Sequence, residues 1–141
     1  ADVTASAYLT APVATEPTLA LRAGGRRAWG AFPLQEAAFV GGSGSLRGYP
    51  EQRFAGEGAV FANAELRVPL APVNLGVRGE VGALALADAG RVFAEGESSS
   101  RWHTAYGGGV WASFLGRSRT FGVSYARGDA GRIYLWSGFP F

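Results

Sequence analysis

The chain has 141 residues, 22 of them glycine, with nearly half of the sequence apolar and no cysteine or methionine. That is enough for one domain, or a piece of one. The lack of cysteine excludes a disulfide framework and a thiolate metal site. Formal net charge is only +2, and the 13 basic residues, all arginine, are scattered among acids and aromatics, so nucleic acid finds no basic block.

The opening "ADVTAS" has no initiating methionine, basic start or apolar run of a signal peptide, so a processed chain or a piece of a longer one is expected. No run approaches the roughly 18 apolar residues of a spanning helix. The chain reads instead as strands, whose side chains alternate faces with period two. In the first, Asp2 to Ala11, Val3, Ala5, Ala7, Leu9 and Ala11 oppose Asp2, Thr4, Ser6, Tyr8 and Thr10. Thr18 to Trp29 is the second. Residues 30–56 follow, too long for an idle turn in a compact domain, and long ordered loops usually carry function.

Glu57 to Pro69 is the third strand, with Val60, Ala62, Ala64, Leu66 and Val68 against Phe61, Asn63, Glu65, Arg67 and Pro69. Leu75 to Phe93 is the fourth, with Leu75, Val77, Val81, Ala83, Ala85 and Ala87 against Arg78, Glu80 and Asp88. Thr104 to Leu115, Arg119 to Arg127 and Arg132 to Phe141 complete seven strands. In the sixth, Phe121, Val123 and Tyr125 oppose Thr120, Gly122, Ser124 and Ala126. The connections "TEP", "APVN", "GRS" and "GDAG" are short, as in an antiparallel meander.

Alternation alone fits a soluble sandwich as well as a membrane barrel. Three features favour the barrel. The strands are about as long as a tilted bilayer crossing requires. The polar face combines glycine with charge, as a lumen does. Aromatics collect at strand ends, namely Trp29, Phe32, Phe93, Trp102, Tyr106, Phe139 and Phe141. The expected fold is therefore all-β, an antiparallel meander of a transmembrane β-barrel. Val60, Leu66, Val77, Val81 and Val123 should face lipid, and Asn63, Glu65, Arg78, Glu80 and Asp88 should face inward.

Four stretches together resemble one family. "GSLRGYPEQRF" is similar to the [VL]-R-G-[FY] loop signature of the bacterial surface antigen family, the BamA- and TamA-type barrels with their two-partner-secretion relatives. "NAELRVPL" looks like the strand that follows, with an inward glutamate, and "ALADAGRVF" like the next, with an inward aspartate and a D-x-G turn. "GRIYLWSGFPF" resembles the closing strand, whose Tyr134, Trp136, Gly138, Phe139 and Phe141 would be a recognition signal for barrel assembly. The resemblance implies, with a small barrel as the alternative, a barrel of about sixteen strands, of which this chain would supply roughly the last seven. Such a lumen would admit the loop of residues 30–56, whereas a small eight-stranded barrel is filled by its own side chains.

The resemblance also implies that the loop folds back into the barrel and that its arginine, here Arg47, meets the inward acids, here Glu65 and Asp88. Face parity separately puts both acids on the polar side. An arginine fork suits two carboxylates in fixed directions, Gly48 permits close backbone approach, and Tyr49 can brace the tip against the wall.

Other motifs read more plainly. "GGSGSLRG" lacks the Gly-Lys-Ser/Thr ending and the helix of a phosphate loop. His103 reads as part of an exposed loop, and no serine has a nucleophile's setting, so neither an enzyme nor a metal or other cofactor is expected. "YGGGVWASF" reads as small residues that make room in a curved wall. The expected function is insertion or translocation of proteins at the bacterial outer membrane. Lipid is the expected surroundings, with client proteins and self-association as candidate partners. The alternative is a structural membrane anchor or oligomeric pore module without insertase activity.

Overall fold

The computed structural model describes residues 1–28, 37–94, 101–115 and 119–138. Nine strands run through them: β1 (Asp2–Thr10), β2 (Thr18–Arg27), β3 (Ala38–Val40), β4 (Phe54–Gly56), β5 (Gly58–Asn74), β6 (Arg78–Phe93), β7 (His103–Phe114), β8 (Arg119–Arg127) and β9 (Gly131–Ser137). Seven form one sheet in the order β1-β2-β5-β6-β7-β8-β9, every neighbour antiparallel. β3 and β4 form a separate hairpin inside the long loop, an element the sequence pattern did not reveal. The meander is open, since no pairing joins β1 to β9 among the described residues.

Face parity follows the expected alternation. Asn63, Glu65 and Asp88 are buried on the face that the loop covers, whereas Leu66, Val110, Phe121, Val123 and Leu135 are exposed on the other. Val60 and Val81 share the outer parity and are half-buried. Glu80 and Arg78 share the inner parity but lie toward the far end from the loop, and Arg78 is exposed. Val77 is no part of a strand face: it lies in the turn between β5 and β6.

The structure departs from the expected elements in three places. The stretch "APVN", expected to be a turn, continues β5 as far as Asn74. The two prolines of β5, Pro69 and Pro72, are tolerated because β5 has lost its β2 partner beyond Arg67, and Leu70 is the extra residue of a bulge opposite β6. The expected D-x-G turn is no turn, because Asp88, Ala89 and Gly90 lie within β6. The last strand ends at Ser137. Phe139 and Phe141 lie outside the described residues, as do Trp29 and Phe32, while Phe93, Trp102 and Tyr106 are exposed at or near strand ends.

The inner wall is tiled by glycine and tryptophan in one cross-strand row, Gly82 opposite Trp111, Trp111 opposite Gly122, and Gly122 opposite Trp136. A Cβ on Gly82 or Gly122 would run into the neighbouring indole, so each ring lies flat on a bare backbone. Gly107 and Gly109 leave no room for a Cβ against the backbone of β8, which accords with small residues in a curved wall.

Candidate functional site

The site forms where the β3–β4 hairpin folds across the inner face. Gly41 and Gly42 adopt φ of 138° and 80°, conformations glycine enters without a Cβ penalty, and they turn the chain after β3. The Ser45 hydroxyl accepts from the Gly41 amide and donates to the Gly41 carbonyl, while Glu51 accepts from the Ser43 amide and hydroxyl. Leu46, fully buried, packs with Ala38, Val40, Tyr49, Ala59 and Ala105. It can descend because β6 carries glycine at position 90, where a Cβ would lie 2.7 Å from Val40 Cγ1 and 3.7 Å from Leu46 Cδ2.

Arg47 is thereby carried onto β5 and β6. Its Nε donates to Asp88 Oδ2 at 2.8 Å, its Nη2 to Asp88 Oδ1 at 2.8 Å, and its Nη1 to Glu65 Oε2 at 2.7 Å. The Arg47 amide adds a fourth bond, to Asp88 Oδ2 at 3.0 Å. Glu65 Oε1 accepts from Arg67 Nε at 2.7 Å, so two cations and two anions alternate in one chain of contacts. The side chains of Arg47, Glu65 and Asp88 are 7%, 1% and 0% exposed. Unpaired charges so deeply buried would be expensive, and the bidentate geometry offsets that cost. Burial on its own would lower the Arg47 pKa, but the hydrogen bonds and charges of Asp88 and Glu65 outweigh it and raise it. A raised pKa on a cation means that the stabilisation persists below the ordinary arginine value and fades only as pH rises through the folded one, so the guanidinium stays charged across neutral pH.

The rest of the loop is tied down around this cluster. The Arg22 Nη2 donates to the Gly44 carbonyl and its Nε to Asn63 Oδ1, while Asn63 Nδ2 donates to the Ser45 carbonyl. Gly48 has φ of 84°, and a Cβ there would lie 2.5 Å from the Gly128 amide nitrogen in the β8–β9 turn. The Tyr49 hydroxyl donates to the Thr104 carbonyl at 3.2 Å, and its ring covers Gly128. His103 is not in an exposed loop: it begins β7, stacks on Phe54 at 3.7 Å and meets the edge of Tyr49.

Of the five residues expected at the loop lock, Arg47, Glu65 and Asp88 bond to one another, while Gly48 and Tyr49 contact β7, β9 and the β8–β9 turn. The closing-strand residues do not form a separate group: Tyr134 Oη accepts from the Gly48 amide at 2.8 Å, and the Trp136 ring lies 5.0 Å from the Arg67 guanidinium. Gly138, directly after β9, has φ of 80° and donates its amide to the Thr120 carbonyl. Sequence reasoning missed Arg67, although its position two residues after Glu65 on one strand face put the two side by side. Among the described residues, no group of three or more His, Cys, Asp or Glu could hold a metal ion.

The model of the Omp85 superfamily domain matches residues 3–128. The chain belongs to the Omp85 superfamily. The match takes in the loop and both acids and ends before β9. No curated protein matches the chain. Omp85 proteins reside in the outer membrane and form a family of protein assembly and translocation, as the four motifs led one to expect.

Proposed function

We propose that the chain is a wall segment of a β-barrel in the bacterial outer membrane, where it contributes to inserting or translocating other proteins. The observation that carries the reading is Arg47 bound to both Glu65 and Asp88 within an Omp85 chain. The exposed apolar outer face suits lipid, and an open sheet with a folded loop across its inner face suits a wide barrel of about sixteen strands. The role is mechanical and not catalytic. Arg47 locks the loop onto the wall, while an edge near the closing strand offers unpaired backbone to client strands. Client proteins and further copies of the chain are the partners, and nucleic acid has no part.

The test uses the full-length protein carrying Arg47→Ala in cells that otherwise lack it. The heat-resistant folding of outer-membrane barrels and the surface delivery of secreted proteins should fall, while the variant itself still reaches the membrane. Unchanged client assembly, both in this variant and in cells with no copy of the protein, would overturn the reading. Conductance in planar bilayers together with unchanged assembly would identify the anchor or pore module.

A further inference from the structure

We propose that Tyr134 and Trp136 of β9 are positioning residues for the loop, so that the lock and the last strand of the sheet hold or release together. The inference rests on the reading of Arg47 as a lock. Its basis is two chemically distinct contacts, one to the residue beside Arg47 and one to Arg67, the two arginines that share Glu65. The Tyr134 hydroxyl takes the amide proton of Gly48, the residue after Arg47, at 2.8 Å. The Trp136 indole faces the guanidinium of Arg67 at 5.0 Å, and Arg67 holds the second oxygen of Glu65.

The register explains how side chains of an edge strand reach so far. Tyr134 is opposite Ser124 and Trp136 opposite Gly122, so small residues on β8 let both rings lie along the inner wall toward β6. There they pack with Leu84, Leu86, Trp111 and Ala126. The loop tip approaches from the other side, where Gly48 and Gly128 leave no room for a Cβ between loop and β8–β9 turn.

β9 has β8 as its single neighbour in the described sheet, and its outer side chains Ile133 and Leu135 are exposed. It is thus the strand most easily detached on this side. Its departure would leave the Gly48 amide without its acceptor in a partly buried place and take the indole from Arg67. Coupling between two such equilibria is reciprocal: whatever frees the loop must loosen β9 by the same factor.

The chain has no cysteine, so one introduced thiol reports alone. Ser45→Cys places it in the buried part of the loop, 8% exposed in the parent, where alkylation requires the loop to lift. In the full chain in lipid, Tyr134→Phe, which removes only a hydroxyl, should speed alkylation by about fivefold. Trp136→Leu should speed it by a few-fold, roughly what an exposed to partly buried cation–π contact supports. Leu135→Ala, on the outer face of the same strand, should leave the rate near the parent's. Arg47→Ala is the positive control for the lock and should be the fastest, and in it the β9 amides should exchange hydrogen faster than in the parent.

Fast alkylation in Arg47→Ala with parental rates in both Tyr134→Phe and Trp136→Leu would overturn the coupling and leave the lock standing. Equal acceleration by Leu135→Ala would overturn it as well, by showing general loosening of the strand. A parental rate in Arg47→Ala would bring down the lock and the coupling with it.

Discussion

Two arginines, Arg47 and Arg53, sit six residues apart on one loop, and each has a carboxylate partner. Arg47 lies on the descending arm, 7% exposed, with three side-chain bonds of 2.7 to 2.8 Å to two acids that the sheet holds rigidly. Arg53 lies on the returning arm, 54% exposed, with its Nε 3.6 Å from Asp129, itself 40% exposed in the β8–β9 turn. The charges are the same, but the surroundings are not. A buried arginine must keep its partners or leave an uncompensated charge, whereas water can replace the partner of an exposed one. What makes Arg47 a lock is the wall beneath it.

The largest effect should therefore come from Asp88→Ala. It removes the acceptor of three bonds from Arg47, one of them from the backbone, and leaves the guanidinium with Glu65. Breaking a buried pair from one side costs about 3 to 5 kcal/mol. Solvent screening does little to reduce that cost, because the cluster is buried beneath the loop. Because the loop bears the loss, protease cleavage between Gly41 and Gly56 should rise steeply while heat-resistant mobility of the barrel on a gel changes little. Loop cleavage at the wild-type rate would contradict the comparison.

Leu66→Arg puts an arginine in a third setting, on the exposed apolar face, one residue from an inward arginine at 67. If that face meets lipid, the substitution should cost about 2 to 4 kcal/mol near the bilayer midplane. The denaturant midpoint of the folded protein in lipid measures it. A shift under a few tenths would mean that the face is wet.

Gly90→Ala leaves every charge in place and tests the fit that brings Arg47 to its partners. The added methyl would meet Val40 at 2.7 Å, so the hairpin must shift, at about 1 to 3 kcal/mol for overpacking. The same protease assay should show a smaller rise than Asp88→Ala. Equal cleavage in Gly90→Ala and wild type would mean that the hairpin has slack.

The two arginines also mark how far the sequence could be read. Parity along β5 and β6 placed Glu65 and Asp88 on one face, because period two is written into each strand. The choice of Arg47 over Arg53 came from the resemblance to a family motif, since burial of a loop residue depends on where the loop lands. Contacts set by register were out of reach for the same reason. Gly82, Trp111, Gly122 and Trp136 share a row only after three pairings are fixed. The run "APVN" was misread because proline usually ends a strand, and nothing local says that β5 has lost its β2 partner beyond Arg67. His103 was misread because its serine-rich flank gives no sign of Phe54, 49 residues earlier, stacking on it.

The smallest effect should come from Asp129→Asn, and its size decides whether burial is the discriminator. The Arg53–Asp129 pair is 3.6 Å apart and half in solvent, so the loss should fall within about 0.5 kcal/mol, much of it erased by salt. Asp129 is the better partner to change, because Arg53 also lies over the Phe54 ring at 5.5 Å and its removal would mix packing with charge. A double-mutant cycle separates the two, using Asp129→Asn with Arg53→Gln, read as loop cleavage at low and high salt. The coupling should be near zero at high salt. The corresponding cycle of Asp88→Asn with Arg47→Gln should give a coupling several times larger that salt hardly moves, because the loop shields that pair from ions. Should the two cycles agree in size and in salt response, both arms of the loop would hold the wall alike, and the distinction drawn between Arg47 and Arg53 would fail.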